Sequence, residues 1–403
     1  MLLRAFTALV FFTVIFTACS FSQPTEQGRA KEQRTDSVIL TGADQTDVYL
    51  SLLKGKTVGI VANQTSVVGH VHLVDSLLKV GINVKRVFGP EHGFRGNAEA
   101  GASIGNSIDE RTGIPVVSLY GSHKKPTPDD LSGIDLMVFD IQDIGVRCYT
   151  YISTLTYIME SCAAAEIPLL VLDRPNPNGY YIDGPVLEPA EASFVGLHPV
   201  PLVYGLTIGE YATMVNGEGW LGKGIKCDLT VIKIKNYKHS SRYILPVKPS
   251  PNLPDMASIY LYPSLCLFEG TVVSVGRGTN MPFRVIGHPD LPDNGFSFKP
   301  MPIKGVSDHP PLEGKTCFGK DLTAEAETIK NFGHIELSWL VESFNALRKD
   351  GFFFNDYFVK LAGTPELRKQ IEAGYSLSRI SESWKEGINK YRLLRKKYLL
   401  YPD

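Results

Sequence analysis

Five short runs in the first half of the chain are apolar almost throughout and rich in β-branched residues: Thr57–Ala62, Val84–Phe88, Pro115–Leu119, Leu136–Phe139 and Pro168–Leu172. They recur every ~20–35 residues, which leaves room for one helix between successive strands and suits βαβ units. A strand with one wet face alternates apolar and polar residues. A run without alternation needs cover on both faces, as in a parallel sheet with helices above and below. The fold class is therefore α/β. Each run ends in polar or glycine-rich sequence: Asn63-Gln64-Thr65, Pro90-Glu91-His92, Tyr120-Gly121-Ser122, Asp140-Ile141-Gln142-Asp143 and Asp173-Arg174-Pro175-Asn176-Pro177-Asn178. Open α/β sheets bind ligands outside the carboxyl ends of their strands, so these polar sets converge on one edge.

The second half reads differently. A proline-rich stretch, Pro185 to Pro201, leads to a helix over 207–216, with Thr207 and Glu210 spaced as a capping box. Residues 226–234 alternate as a strand, and Pro246 to Pro254 forms a crossing between domains. Strands are expected near 271–275, 283–287 and 296–303, and helices over 334–348, 364–373 and 376–396. Thr364-Pro365-Glu366 reads as a cap followed by proline at the first helical position. The last helix carries Ile380, Trp384, Ile388 and Tyr391 at helical spacing, a core stripe. The expected division is a catalytic domain over 37–250 and a C-terminal α+β domain over 251–403.

The first 19 residues read as an export signal. Met1 to Arg4 is a basic start, Ala5 to Thr17 is almost wholly apolar, and Phe16-Thr17-Ala18-Cys19 resembles a lipoprotein box, with Phe16 where Leu is usual. Cys19 is then the lipidated residue, residues 20–36 a solvated tether, and the expected location an exported lipoprotein facing the periplasm. No later segment reaches 18 apolar residues, so the lipid is the only membrane contact expected. The other five cysteines show no paired spacing and read as small buried hydrophobes. A net charge of −1 gives no basic field for nucleic acid.

The most chemically loaded segment is Gly89-Pro90-Glu91-His92-Gly93-Phe94-Arg95-Gly96, a strand running into a glycine-flanked loop. It carries a carboxylate, an imidazole and a guanidinium within five residues. Glycines let backbone approach a ligand, and the three groups supply proton transfer and anion binding. Glu91 is a candidate general acid, His92 orients it or binds substrate, and Arg95 binds an anion or orders the loop. Asp140 and Asp143 lie three residues apart past a strand, to hold a metal, act on substrate, or pair with Arg147. Arg174, Asn176 and Asn178 sit among prolines as preset donors and acceptors. Glu269 and the Gly276-Arg277-Gly278-Thr279 turn place a guanidinium to reach across a cleft. His70-Val71-His72 lacks a third ligand for zinc. No GxSxG, HExxH, SxxK or dinucleotide fingerprint is present.

Several long segments, taken in order, resemble one family: GPEHGFRG, FDIQDIGVRCYTYISTL, VLDRPNPNG, DGPVL, LTIGEYATMVNGE, PSPNLP, LFEGTVVSVGRGT and the terminal YLLYP. The chain is similar from about residue 40 to 403 to the family known as domain of unknown function 1343, whose characterised members are exo-β-N-acetylmuramidases of the NamZ type. The resemblance implies a Rossmann-like N-terminal domain, a smaller C-terminal domain and an active cleft between them. It implies release of N-acetylmuramic acid from the non-reducing end of peptidoglycan fragments; no cofactor and no metal are expected. Glu91 is then the favoured catalytic residue, with Asp140 or Asp143 to activate water, attack directly or steady the N-acetyl group. His92, Arg95, Arg147, Arg174, Asn176, Asn178, Glu269, Arg277 and Thr279 are expected to bind substrate. One departure stands out: Val275 occupies a position that is acidic in some members. Two other functions fit the residues alone, a non-catalytic muropeptide- or sugar-binding lipoprotein and a metal-dependent hydrolase using Asp140, Asp143 and a histidine.

Overall fold

The five apolar runs are the middle of one sheet. In the computed structural model, which describes residues 38–96, 107–348 and 352–403, they form β1 (Thr57–Ala62), β2 (Asn83–Gly89), β3 (Pro115–Ser118), β4 (Leu136–Asp140) and β5 (Leu169–Leu172). A sixth strand, β6 (Leu229–Ile232), pairs in parallel with β5, and the two-residue strand Ser107–Ile108 adds antiparallel to β3. The spatial order of the parallel strands is 3-2-1-4-5-6. This is the doubly wound Rossmann order, reversing between β1 and β4.

Successive residues of each central strand enter two separate apolar clusters. Met137 and Phe139 of β4, and Leu169 and Val171 of β5, belong to one cluster. Leu136 and Val138, with Leu170 and Leu172, belong to the other. Both faces are thus covered, which is why the runs do not alternate. The first cluster continues without a break into the C-terminal part, taking in Phe268, Phe358 and the stripe Ile380, Trp384, Ile388 and Tyr391 of the helix Leu377–Arg395. The C-terminal part is mostly helical around a small antiparallel sheet of Val285–His288, Cys317–Asp321 and Ser297–Phe298.

Local rules explain most element ends. Thr207 accepts from the Glu210 amide and Glu210 accepts from the Thr207 amide, so the capping box forms at the helix Ile208–Gly217. The helix Glu366–Glu372 starts one residue later than its cap suggests: Pro365 takes the N-cap position, and the Thr364 hydroxyl accepts from the Glu366 amide. Residues 271–275 make only isolated bridges, at Thr271 and Ser274, rather than a strand. The helix Met256–Leu265 lies where an interdomain crossing was expected to end. It has no amphipathic signature, because every residue from Ser258 to Leu265 is buried, and it contains Pro263. All five cysteines in the described residues are free and buried. Among those residues, no helix is long and apolar enough to cross a membrane. Cys19 and the rest of the signal and tether segment lie outside them.

The terminal Tyr-Pro closes the β5–β6 end of the sheet. Tyr401 donates to Asp173 at 2.5 Å and accepts from the Ile234 amide at 2.9 Å, and Pro402 accepts from the His239 amide at 2.8 Å. Asp173 also accepts from Thr207 and the Gly209 amide. Burial pushes its carboxyl up to about 7, against those hydrogen bonds.

Candidate active site

The crevice where the strand order reverses is filled by the chain itself. Ser66 donates to the Asp140 carbonyl, Thr65 accepts from the Gln142 amide at 3.0 Å, and Asn63 donates to Tyr151 at 2.9 Å. An open cavity lies farther along the same edge, outside β2, β3 and β4, and has a volume of about 340 Å³. Glu91 and His92 come to it from β2, Tyr120 from beyond β3, and Cys148, Tyr149 and Thr150 from the loop after β4. The C-terminal part supplies Tyr262, Glu269, Arg277, Phe283, Ser307, His309 and Tyr357. Ser250 and Asn252 reach it from the PSPNLP segment.

Glu91 sits half-buried on the loop after β2. Its carboxylate Oε2 accepts from the Thr150 hydroxyl at 2.9 Å. The next residue, His92, has φ 71 and is buried. A left-handed conformation is uncommon outside glycine and marks a position held by its surroundings. Phe283, on the opposite wall, is a second such residue, with φ 54.

Opposite Glu91, Arg277 donates through Nε at 2.9 Å and Nη2 at 2.7 Å to the same oxygen of Glu269. Both side chains are about one-fifth exposed. The flanking glycines are required. Gly276 and Gly278 have φ 79 and 78, and a Cβ on Gly278 would lie 2.6 Å from the Met301 carbonyl oxygen. The guanidinium lies 5.0 Å above the Phe283 ring, a cation–π distance. Burial alone would lower the Arg277 pKa. Glu269, and beyond it Tyr262 and Glu91, outweigh that and hold it above the usual arginine range. The nearby wall is aromatic, with Tyr262 edge-on to Tyr149 at 6.0 Å and tilted against Phe283 at 4.9 Å.

Several expected site residues lie elsewhere. Asp140 is fully buried and holds Arg174 through both oxygens, at 2.6 and 2.8 Å, so each completes the other and neither lines the cavity. Asp143 is buried against Tyr204 and the Gly145 amide, and its Oδ1 has no hydrogen-bond partner. Burial pushes its carboxyl up to about 7, the hydrogen bonds opposing the shift. Arg147 is fully buried and donates to the carbonyls of Pro185, Val200, Leu361 and Ala362 at 2.7–3.0 Å. It is a clamp between the sheet domain and the helix Tyr357–Ala362. Asn176 donates to the Leu206 carbonyl, and Asn178 to those of Ile144 and Ile259. Arg95 pairs with Asp75 at 3.2 Å and Asp109 at 2.7 Å, fixing the loop. Thr279 closes its own turn on the Gly276 carbonyl. Val275 is 4% exposed and belongs to the core. His72 caps the helix Leu73–Lys79, and among the described residues no histidine, cysteine or acid cluster has the makings of a metal site. Thr150 and Tyr357 carried no special signal in the sequence, since one sits inside an apolar helix start and the other beside an aromatic run.

A doubly wound α/β domain, joined to a smaller helical part that completes a carboxylate- and guanidinium-bearing cavity at the sheet's carboxyl edge, is a ligand-cleft protein with the groups of a hydrolase. Residues 58–257 match the family model for exo-beta-N-acetylmuramidase NamZ, N-terminal, and residues 260–401 the corresponding C-terminal model. The chain belongs to the NamZ family. It is 40% identical to peptidoglycan beta-N-acetylmuramidase NamZ of Bacillus subtilis strain 168, over 98% of each chain. Two solved structures of DUF1343 family proteins from Bacteroides fragilis superpose on it. One has a TM-score of 0.85 and 45% identity, covering 91% of this chain and all of that one. The other has a TM-score of 0.75 and 29% identity, covering 90% of this chain and 99% of that one.

Proposed function

We propose that this protein is an exo-acting β-N-acetylmuramidase that hydrolyses the glycosidic bond of a terminal non-reducing N-acetylmuramic acid in peptidoglycan fragments. The observation that carries the reading is Glu91, held by Thr150 in a cavity that also contains the Glu269–Arg277 pair. Glycosidic cleavage needs a proton on the leaving oxygen and stabilisation of an oxocarbenium-like centre. Glu91 supplies the proton. Glu269 is the second carboxylate of the cavity. Arg277 engages only its Oε1, so Oε2 is left for water or for the substrate's N-acetyl group. The lactyl carboxylate that distinguishes muramic acid from glucosamine calls for a guanidinium reader. Of Arg147, Arg174 and Arg277, only Arg277 lines the cavity, and its Nη1 edge is not used by Glu269.

The basic start, apolar stretch and Cys19 support export and lipidation, which would bring the site to cell-wall fragments. The test is hydrolysis of the disaccharide with N-acetylmuramic acid at its non-reducing end, alongside the same two sugars in the reverse order. Mass spectrometry should find free N-acetylmuramic acid from the first only. Tight binding of the first without product would instead make the protein a muropeptide-binding protein.

A further inference from the structure

Among the described residues, the Glu91 carboxylate has one side-chain hydrogen bond, and Thr150 donates it. Thr150 is the N-cap residue of the helix Tyr151–Ala164. A threonine there ordinarily turns its hydroxyl to accept from an amide in the first turn. Here the side chain makes no such cap bond, and the backbone at Thr150 is already helical, with φ −71 and ψ −1. The hydroxyl is directed at Glu91 instead. Its own backbone is fixed, since the Thr150 carbonyl accepts from the amides of Ser153 and Thr154 at 3.0 Å. The helix behind it is buried at Tyr151 through Thr156 and again at Ile158 and Met159. Glu91 sits on a loop, whereas Thr150 opens a largely buried helix.

The geometry points to Thr150 as a positioning residue for Glu91. It holds Oε2 and leaves Oε1 as the oxygen presented to the glycosidic bond. This rests on the proposed role of Glu91. Misplacing a reacting group by about 1 Å costs on the order of 10²-fold in rate, so a single anchoring bond matters even though it touches no substrate.

The test is a comparison of Thr150→Val, Thr150→Ser and Glu91→Gln, with steady-state kinetics on a chromogenic β-N-acetylmuramide and thermal melts in parallel. Valine keeps the shape and removes the hydroxyl, whereas serine keeps the hydroxyl. The expected result is a kcat roughly 10–100-fold lower for Thr150→Val, with KM within about twofold of wild type and recovery to within about threefold in Thr150→Ser. A wild-type kcat in Thr150→Val, with Glu91→Gln inactive, overturns the assignment and leaves Glu91 standing. Equal losses in the valine and serine variants that follow their melting temperatures would make Thr150 structural and also overturn it. Full activity in Glu91→Gln would instead remove the reading of the site on which the assignment rests.

Discussion

Arg277 is the residue whose substitution should change what the enzyme prefers. Replacing it alone by methionine would leave Glu269, about one-fifth exposed, without its partner. The informative variant is therefore Arg277→Met with Glu269→Gln, which removes both charges together. A hydrogen bond to a charged group contributes about 1.5–3 kcal/mol. At about 1.4 kcal/mol per factor of ten, losing the contact to the lactyl carboxylate lowers kcat/KM by about 10–150-fold. The substrate pair that isolates this contact is a chromogenic muramide and its lactyl primary amide, which is close in size to the acid and lacks its charge. Wild type should prefer the free acid by that factor, and the double variant should treat the two alike, at whatever absolute rate the loss of Glu269 leaves. A double variant that keeps the full preference for the acid would refute the assignment of Arg277 as the reader.

Two further outcomes follow from buried groups outside the cavity. Asp143 has a carboxyl raised to about 7, against about 3.9 in an unfolded chain, so the native state favours its protonated form. Its contribution is therefore greatest below pH 4 and is lost as pH rises to 7. The stability of Asp143→Asn relative to wild type should grow by about 2–3 kcal/mol between pH 5 and pH 7 in urea titrations, and a constant difference would contradict the shift. Arg147→Met removes a buried donor from four carbonyls, of which Val200 keeps the Leu187 amide and Leu361 the Cys148 thiol, and should cost about 3–5 kcal/mol in the same titration with no change in preference between the two muramides. A variant of wild-type stability that lost its preference would return Arg147 to the site.

The sheet was legible because burial on both faces leaves a mark on every residue of a strand, as in Leu136–Asp140 and Leu169–Leu172. The capping box at Thr207 and Glu210 and the stripe from Ile380 to Tyr391 were legible because they depend on spacings of three and four. The helix Met256–Leu265 was not, because a helix buried all round loses its periodicity. The lining of the cavity was legible at Glu91 and at Arg277, where glycines announce close backbone approach. It was misleading at Asp140, Arg147 and Arg174. A buried polar network and a catalytic set use the same residue types, and only long-range pairing separates them. Asp140 meets Arg174 from 34 positions away, and Arg147 meets the Ala362 carbonyl from 215. Thr150 was hidden because its hydroxyl belongs to a helix start in sequence and to Glu91 in space.

Everything proposed for the cavity depends on Glu91 turning over a muramide there. The most direct measurement is release of chromophore from a β-N-acetylmuramide and from the matching β-N-acetylglucosaminide, by purified residues 37–403 and by the same protein carrying Glu91→Gln. Wild type should hydrolyse the muramide selectively, and the variant should lose about 10²–10⁴-fold in rate with an unchanged melting temperature. Equal release from both sugars, or full activity in the folded Glu91→Gln protein, would contradict this reading.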